Sequence, residues 1–136
     1  MLSDIGKEEP QAALSVFTKG VRRRWTYMQR TIKGISEYFR PLEEVITNTF
    51  IPAIIGREVS AIERRILALP CRFGGIGIQD PTRTADIEYY ASKKITEDLT
   101  NLIFDQNQSL EALDGIKQNT LLQLKKIRRR KTKFSH

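Results

Sequence analysis

Apolar residues recur at steps of three and four along most of this 136-residue chain, a spacing that commits it to helices. Leu14, Phe17, Val21, Trp25, Met28 and Ile32 make one apolar face over residues 10–33, with Pro10 in the first turn and Gly34 as a stop. A second helix begins near Pro41. Leu42, Val45, Ile46, Thr49, Phe50 and Ala53 form its buried stripe, Pro52 should kink or end it, and Gly56 closes it. The third starts at Ser60, where Glu63 completes a capping box, and Ile62, Ile66 and Leu69 face inward. Asp80-Pro81 opens a fourth helix of about 24 residues, with Ile87, Tyr90, Ala91, Ile95, Leu99, Leu102 and Ile103 inward. "DQNQS" breaks it. From Ser109 a last helix, marked by Leu110, Leu113, Leu121, Leu124 and Ile127 and interrupted by Gly115, runs into a basic tail. The one strand candidate, "GIGI" at 75–78, is too short to build a sheet. The expected fold is all-α, an irregular bundle of about five helices with a Gly-rich connector between the third and fourth. Residues 1–106 form its main helical domain, and residues 107–136 a C-terminal helix with its tail.

An apolar content of 40% suits a globular chain. No apolar run approaches the roughly 18–20 residues of a membrane span, so no membrane partner is expected. "MLSDIGKEEP" has neither the basic start nor the apolar block of a signal peptide. A single cysteine excludes an internal disulfide framework and suits a reducing compartment, which makes the nucleus or cytoplasm the expected location.

The net charge of +7 is unevenly placed. Residues 1–124 carry sixteen basic and sixteen acidic side chains, so the whole excess lies in "KKIRRRKTK", residues 125–133. A second basic pole lies within the balanced part: residues 19–40 hold seven basic residues against Glu37 alone. Two basic poles on a neutral body point to an anionic partner held at defined places.

Between the third and fourth helices stands "LPCRFGGIGIQDP", residues 69–81. A P-loop would need Lys-Ser/Thr after its glycines, and a dinucleotide fingerprint a third glycine where Asp80 and Pro81 stand. Asp80 would also repel phosphate at that helix start. Gly74, Gly75 and Gly77 read instead as a tight connection between helices. Cys71 reads as a buried small hydrophobe, because the one histidine, His136, is the last residue. The same shortage leaves no zinc set and no Ser-His-Asp triad. The pairs Glu8/Glu9, Glu43/Glu44 and Glu97/Asp98 point about 100° apart on a helix and do not converge on a metal. No enzymatic role, metal, cofactor or small-molecule substrate is expected.

The basic residues carry more. Lys19, Arg22, Arg23, Thr26, Arg30 and Lys33 fall opposite the apolar face of the first helix, at spacings that follow a phosphate backbone. Tyr27 sits at the edge of that stripe, where it could stack on a base or sugar. The tail residues Lys125, Lys126, Arg128, Arg129, Arg130, Lys131 and Lys133 suit non-specific nucleic-acid binding or nuclear import. A solvated helix face and a solubilising terminus are the plainer readings of the same residues.

"LPCRFGGIGIQDP" also resembles the LPxRxGGxGI-type segment downstream of the catalytic palm in reverse transcriptases of non-long-terminal-repeat retrotransposons. The blocks "RRRWTYMQRTI", "FRPLEEVITNTFIPAIIG", "ERRILALPCRFGGIGI" and "ITEDLTNLI" follow in the family's order, so the resemblance covers roughly residues 10–105. Pro70, Arg72, Gly74, Gly75, Gly77 and Ile78 match the motif, and Cys71 and Phe73 fill variable slots. The family's polymerase chemistry uses palm aspartates, including an Asp-Asp pair that this chain lacks. The resemblance therefore implies a thumb-like, non-catalytic region that holds template–primer, as RNA, DNA or hybrid duplex, with Arg72 facing that partner. The alternative is a helical interaction or scaffold fragment whose natural partner is the polymerase palm.

Overall fold

The computed structural model describes residues 1–105 and 110–133 and, within the last helix, the side chains of residues 114–126 and 129. Among the described residues the chain is all-helical, with six helices and no strand. These are α1 (Leu2–Glu8), α2 (residues 10–31), α3 (residues 40–55), α4 (Ala61–Leu67), α5 (Pro81–Phe104) and α6 (Leu110–Lys133). The helix not foreseen in the sequence is α1, whose seven residues are too few to display a period. A first compact unit comprises Met1–Glu88, and a second begins at Tyr89, within α5.

Two of the helices contain a π turn, Phe17–Val21 in α2 and Ile46–Phe50 in α3. Both follow from the spacing of what they bury. Along α2 the inward positions are Ala13, Phe17, Val21, Trp25 and Gln29, four residues apart throughout. In a straight α-helix each such step overshoots a turn, so the series would drift by about 160°. The π turn absorbs an extra residue and holds the series on one side. In consequence the face after Val21 is rotated from its expected place: Met28 and Ile32 are 44% and 50% exposed, and Gln29 is buried instead.

In α3, Leu42, Ile46, Phe50 and Ile54 repeat the four-residue step. Here the π turn also carries the helix through Pro52. The amide of Ile51 donates to the carbonyl of Ile46, five residues back, so the ladder has already shifted where proline has no N–H to give. The expected break is therefore absent, and α3 runs on to Gly56, whose φ of 83° closes it. Phe17 and Phe50, from the two π turns, stack with ring centroids 4.5 Å apart, and Trp25 lies 5.7 Å from Phe17. With Phe39, Ile46, Ile51, Ile78 and Ala85 these rings form the core of the first unit.

Several stripes lie elsewhere than expected. Val45 is 56% exposed, and in α4 Ile62 and Ile66 are exposed while Arg64 and Leu67 turn inward. Ile87, Tyr90, Leu99 and Ile103 of α5 are exposed as well, and that helix buries Pro81 and Ala85. The capping box of Ser60 and Glu63 is present, as is the cap of α5, where the amide and hydroxyl of Thr82 donate to the Asp80 carboxylate. The length of α5, 24 residues, is the expected one. Gly115 does not interrupt α6, since one glycine costs a helix only about 1 kcal/mol. Ser109 and His136 lie outside the described residues.

Candidate nucleic-acid interface

The glycine segment is a connector between α4 and α5. Its amides from Phe73 to Gln79 all donate to carbonyls of the chain itself. Gly75 donates to the carbonyl of Pro70, Ile76 and Ile78 both donate to Leu67, and Gly77 donates to Leu69. Leu67 is the last residue of α4, where a helix leaves acceptors without intrahelical partners, and Leu69 and Pro70 follow just beyond it. The segment thus folds back onto the end of α4, and its run of amides from Phe73 to Gln79 is engaged there instead of forming a nest for a phosphate. Gly74 and Gly77 supply positive φ, 83° and 76°. Gly75 supplies room: a Cβ there would meet the Leu69 carbonyl oxygen at less than any real contact distance.

Three side chains from neighbouring helices fasten the segment. Arg64, 7% exposed, forms a two-pronged pair with Glu43, Nε to Oε1 at 2.7 Å and Nη2 to Oε2 at 2.8 Å, and donates from Nη1 to the Ile78 carbonyl at 2.6 Å. Thr47 donates to the same carboxylate. Gln29 donates from Nε2 to the Pro81 carbonyl at 2.9 Å and to the Thr84 hydroxyl at 3.1 Å. Arg22 reaches the Gly77 carbonyl at 3.5 Å. Arg64 and Gln29 are not legible as buried in the sequence, because a buried polar residue looks like a surface one until its partner is in place. For Gln29 the one signal is the four-residue step from Trp25, and Arg64 has none.

Cys71 is exposed, contrary to expectation. It starts a one-turn 3-10 helix after Pro70, whose path turns the thiol to solvent. Arg72 is exposed beside it, with its guanidinium 4.8 Å from the centre of the Phe73 ring.

The expected basic stripe on α2 divides. Arg22 is half-buried and bound to the connector, and Thr26 is half-buried with its hydroxyl on the Arg22 carbonyl. Arg30 is exposed but pairs with Glu88 at 3.1 Å. Lys33 stands in the turn beyond the helix end. Lys19 and Arg23 remain on the solvent face, joined by Arg24, which is not part of the expected stripe. The rotation introduced by the π turn accounts for this exchange. None of Lys19, Arg23, Arg24 and Lys33 has an ion pair among the described residues. Over residues 10–31 the helix has five cations and no carboxylate, so like charges crowd one another at spacings where they destabilise a helix.

In the second unit Lys125, Lys126 and Arg129 are exposed on α6. Arg128, Arg130, Lys131 and Lys133 belong to the same helix, and their side chains lie outside the described residues. Among the described residues no group of three or more His, Cys, Asp or Glu is placed to hold a metal ion, and no helix is long and apolar enough to cross a membrane. A shallow cleft lined by Ile55, Arg57, Val59, Glu63, Ile66 and Leu67 measures about 110 Å³, well short of the ~300–1,000 Å³ that holds a drug-sized ligand.

No protein-family model matches the chain, and neither the curated proteins nor the solved structures contain a match to it.

Proposed function

We propose that the chain is a non-catalytic nucleic-acid-binding fragment, similar to the thumb-like region downstream of a retrotransposon reverse transcriptase palm. The observation that carries this reading is the solvent face of α2: Lys19, Arg23 and Arg24 stand exposed on a helix with no carboxylate of its own. An anion relieves their mutual repulsion, and a phosphate backbone supplies anions at repeating intervals. The cations of residues 125–133 add a second, less specific attraction. The fastened connector serves this role as a scaffold, holding α2, α4 and the start of α5 in fixed register. In this reading any polymerase chemistry belongs to a separate palm, and the chain works in the nucleus or cytoplasm.

Replacing Lys19, Arg23 and Arg24 together by Ala lowers affinity for a nucleic-acid duplex and flattens its dependence on salt. Unchanged binding removes the role assigned to α2.

The second reading, a packing fragment for a polymerase palm, draws on the exposed apolar residues Val45, Ile62 and Ile66. It predicts self-association of the isolated chain that a soluble palm domain suppresses.

A further inference from the structure

The residue at the middle of the solvent face of α2 is an aromatic. Residues Arg22–Thr31 form a regular α-helix, so neighbours three and four positions apart share a face. Around Tyr27 this places Arg23 and Arg30 on one flank and Arg24 and Thr31 on the other. Trp25 and Gln29 point the opposite way, into the core. Tyr27 is 71% exposed, and its hydroxyl makes no hydrogen bond among the described residues. Burial of the ring does not explain its presence there.

The surroundings leave the ring accessible. The Thr31 hydroxyl is turned down onto the Tyr27 carbonyl at 3.0 Å. Gly20, further along toward the N-terminus, is exposed, and a Cβ built on it would meet nothing within 4 Å. An exposed aromatic ring bordered by guanidinium groups is suited to a polymer that alternates flat rings with anionic links. In a duplex the base faces are covered by one another, and a helix meets only base edges and the sugar–phosphate backbone. In an unpaired strand every base has a free face.

Building on the nucleic-acid reading above, we infer that Tyr27 is a base-stacking platform, with Arg23 and Arg24 gripping the flanking phosphates, so that α2 takes an unpaired nucleic-acid strand in preference to a duplex. The ring supplies sequence-tolerant stacking, because every base has a π-face. The arginines supply the salt-dependent part of the affinity.

The test compares the full chain with Tyr27→Ala and Tyr27→Phe on three labelled probes: oligo(dT), oligo(U) and a mixed-sequence DNA duplex. The substitutions lie on a solvent-exposed ring, and circular dichroism confirms that the helices persist. The expected result is a loss of about tenfold or more on an unpaired probe for Tyr27→Ala, a change of less than about twofold on the duplex, and near-full retention for Tyr27→Phe. The dT and U arms tell DNA from RNA. An equal loss on duplex and single strand, or no loss on either single strand, overturns the inference. Wild-type binding to the duplex alone overturns it too while leaving the broader reading standing. Wild-type failure on all three probes overturns both.

Discussion

At Gly75 the backbone of the connector passes so close to the end of α4 that no side chain fits. Gly75→Ala is expected to destabilise the first unit by about 4 kcal/mol, a loss seen only where a specific device fails. The added methyl must displace either the Leu69 carbonyl or the segment whose amides cap α4. Chemical denaturation measures the loss, and a change below about 1 kcal/mol would show that the connector is loose. That the glycines make a tight connection was legible in the sequence, because glycine clusters between helical patterns have few other uses. What fastens the connection was not legible. Arg64 and Gln29 sit among the core residues only because Glu43 and the Pro81 carbonyl satisfy their polar atoms, and those partners are 21 and 52 residues away. Cys71 was misplaced for a related reason: its exposure depends on the path taken after Pro70, which composition does not reveal.

Among the helices, α4 shows how a local signal survives into the structure. Its capping box was visible as Ser60 and Glu63, and Arg57 then joins it by bonding the Glu63 carboxylate. The Arg57 hydrogen bond, with the Ser60 amide second, lowers the Glu63 pKa from 4.5 to about 2. A carboxylate with a lowered folded-state pKa contributes its stability in full above the unfolded value and loses it as pH falls through the folded one. Glu63 should therefore stay ionised at pH 3.5, with the cap failing only as pH approaches 2; a carbon-detected NMR titration with a midpoint near 4.5 would contradict this. The helices α2 and α3 were legible in position but not in rotation. Steps of three and four along a sequence assume 3.6 residues per turn, and each π turn breaks that assumption once. That is why the pattern places Met28 and Ile32 inward, and Arg22 outward, each against what the structure shows.

Taken as a whole, the chain concentrates positive charge in two places, the exposed Lys19, Arg23 and Arg24 on α2 and seven cations within residues 125–133. The helical class and the connector between the third and fourth expected helices were readable from patterning alone. The exposed stripe of α5 was not, because an amphipathic pattern states which face is apolar and not whether anything covers it. In the proposed function the body itself, and not only the cations of residues 125–133, holds nucleic acid. This is tested most directly by measuring DNA-duplex affinity against salt for the full chain and for a variant with every Lys and Arg of residues 125–133 replaced by Gln. Log affinity falls with log salt at a slope near −0.9 per neutralised phosphate on B-form DNA, so three contacts from Lys19, Arg23 and Arg24 predict a residual slope of about −2 to −3. Loss of all binding in the variant would contradict the account and leave the C-terminal cations as a generic polycation.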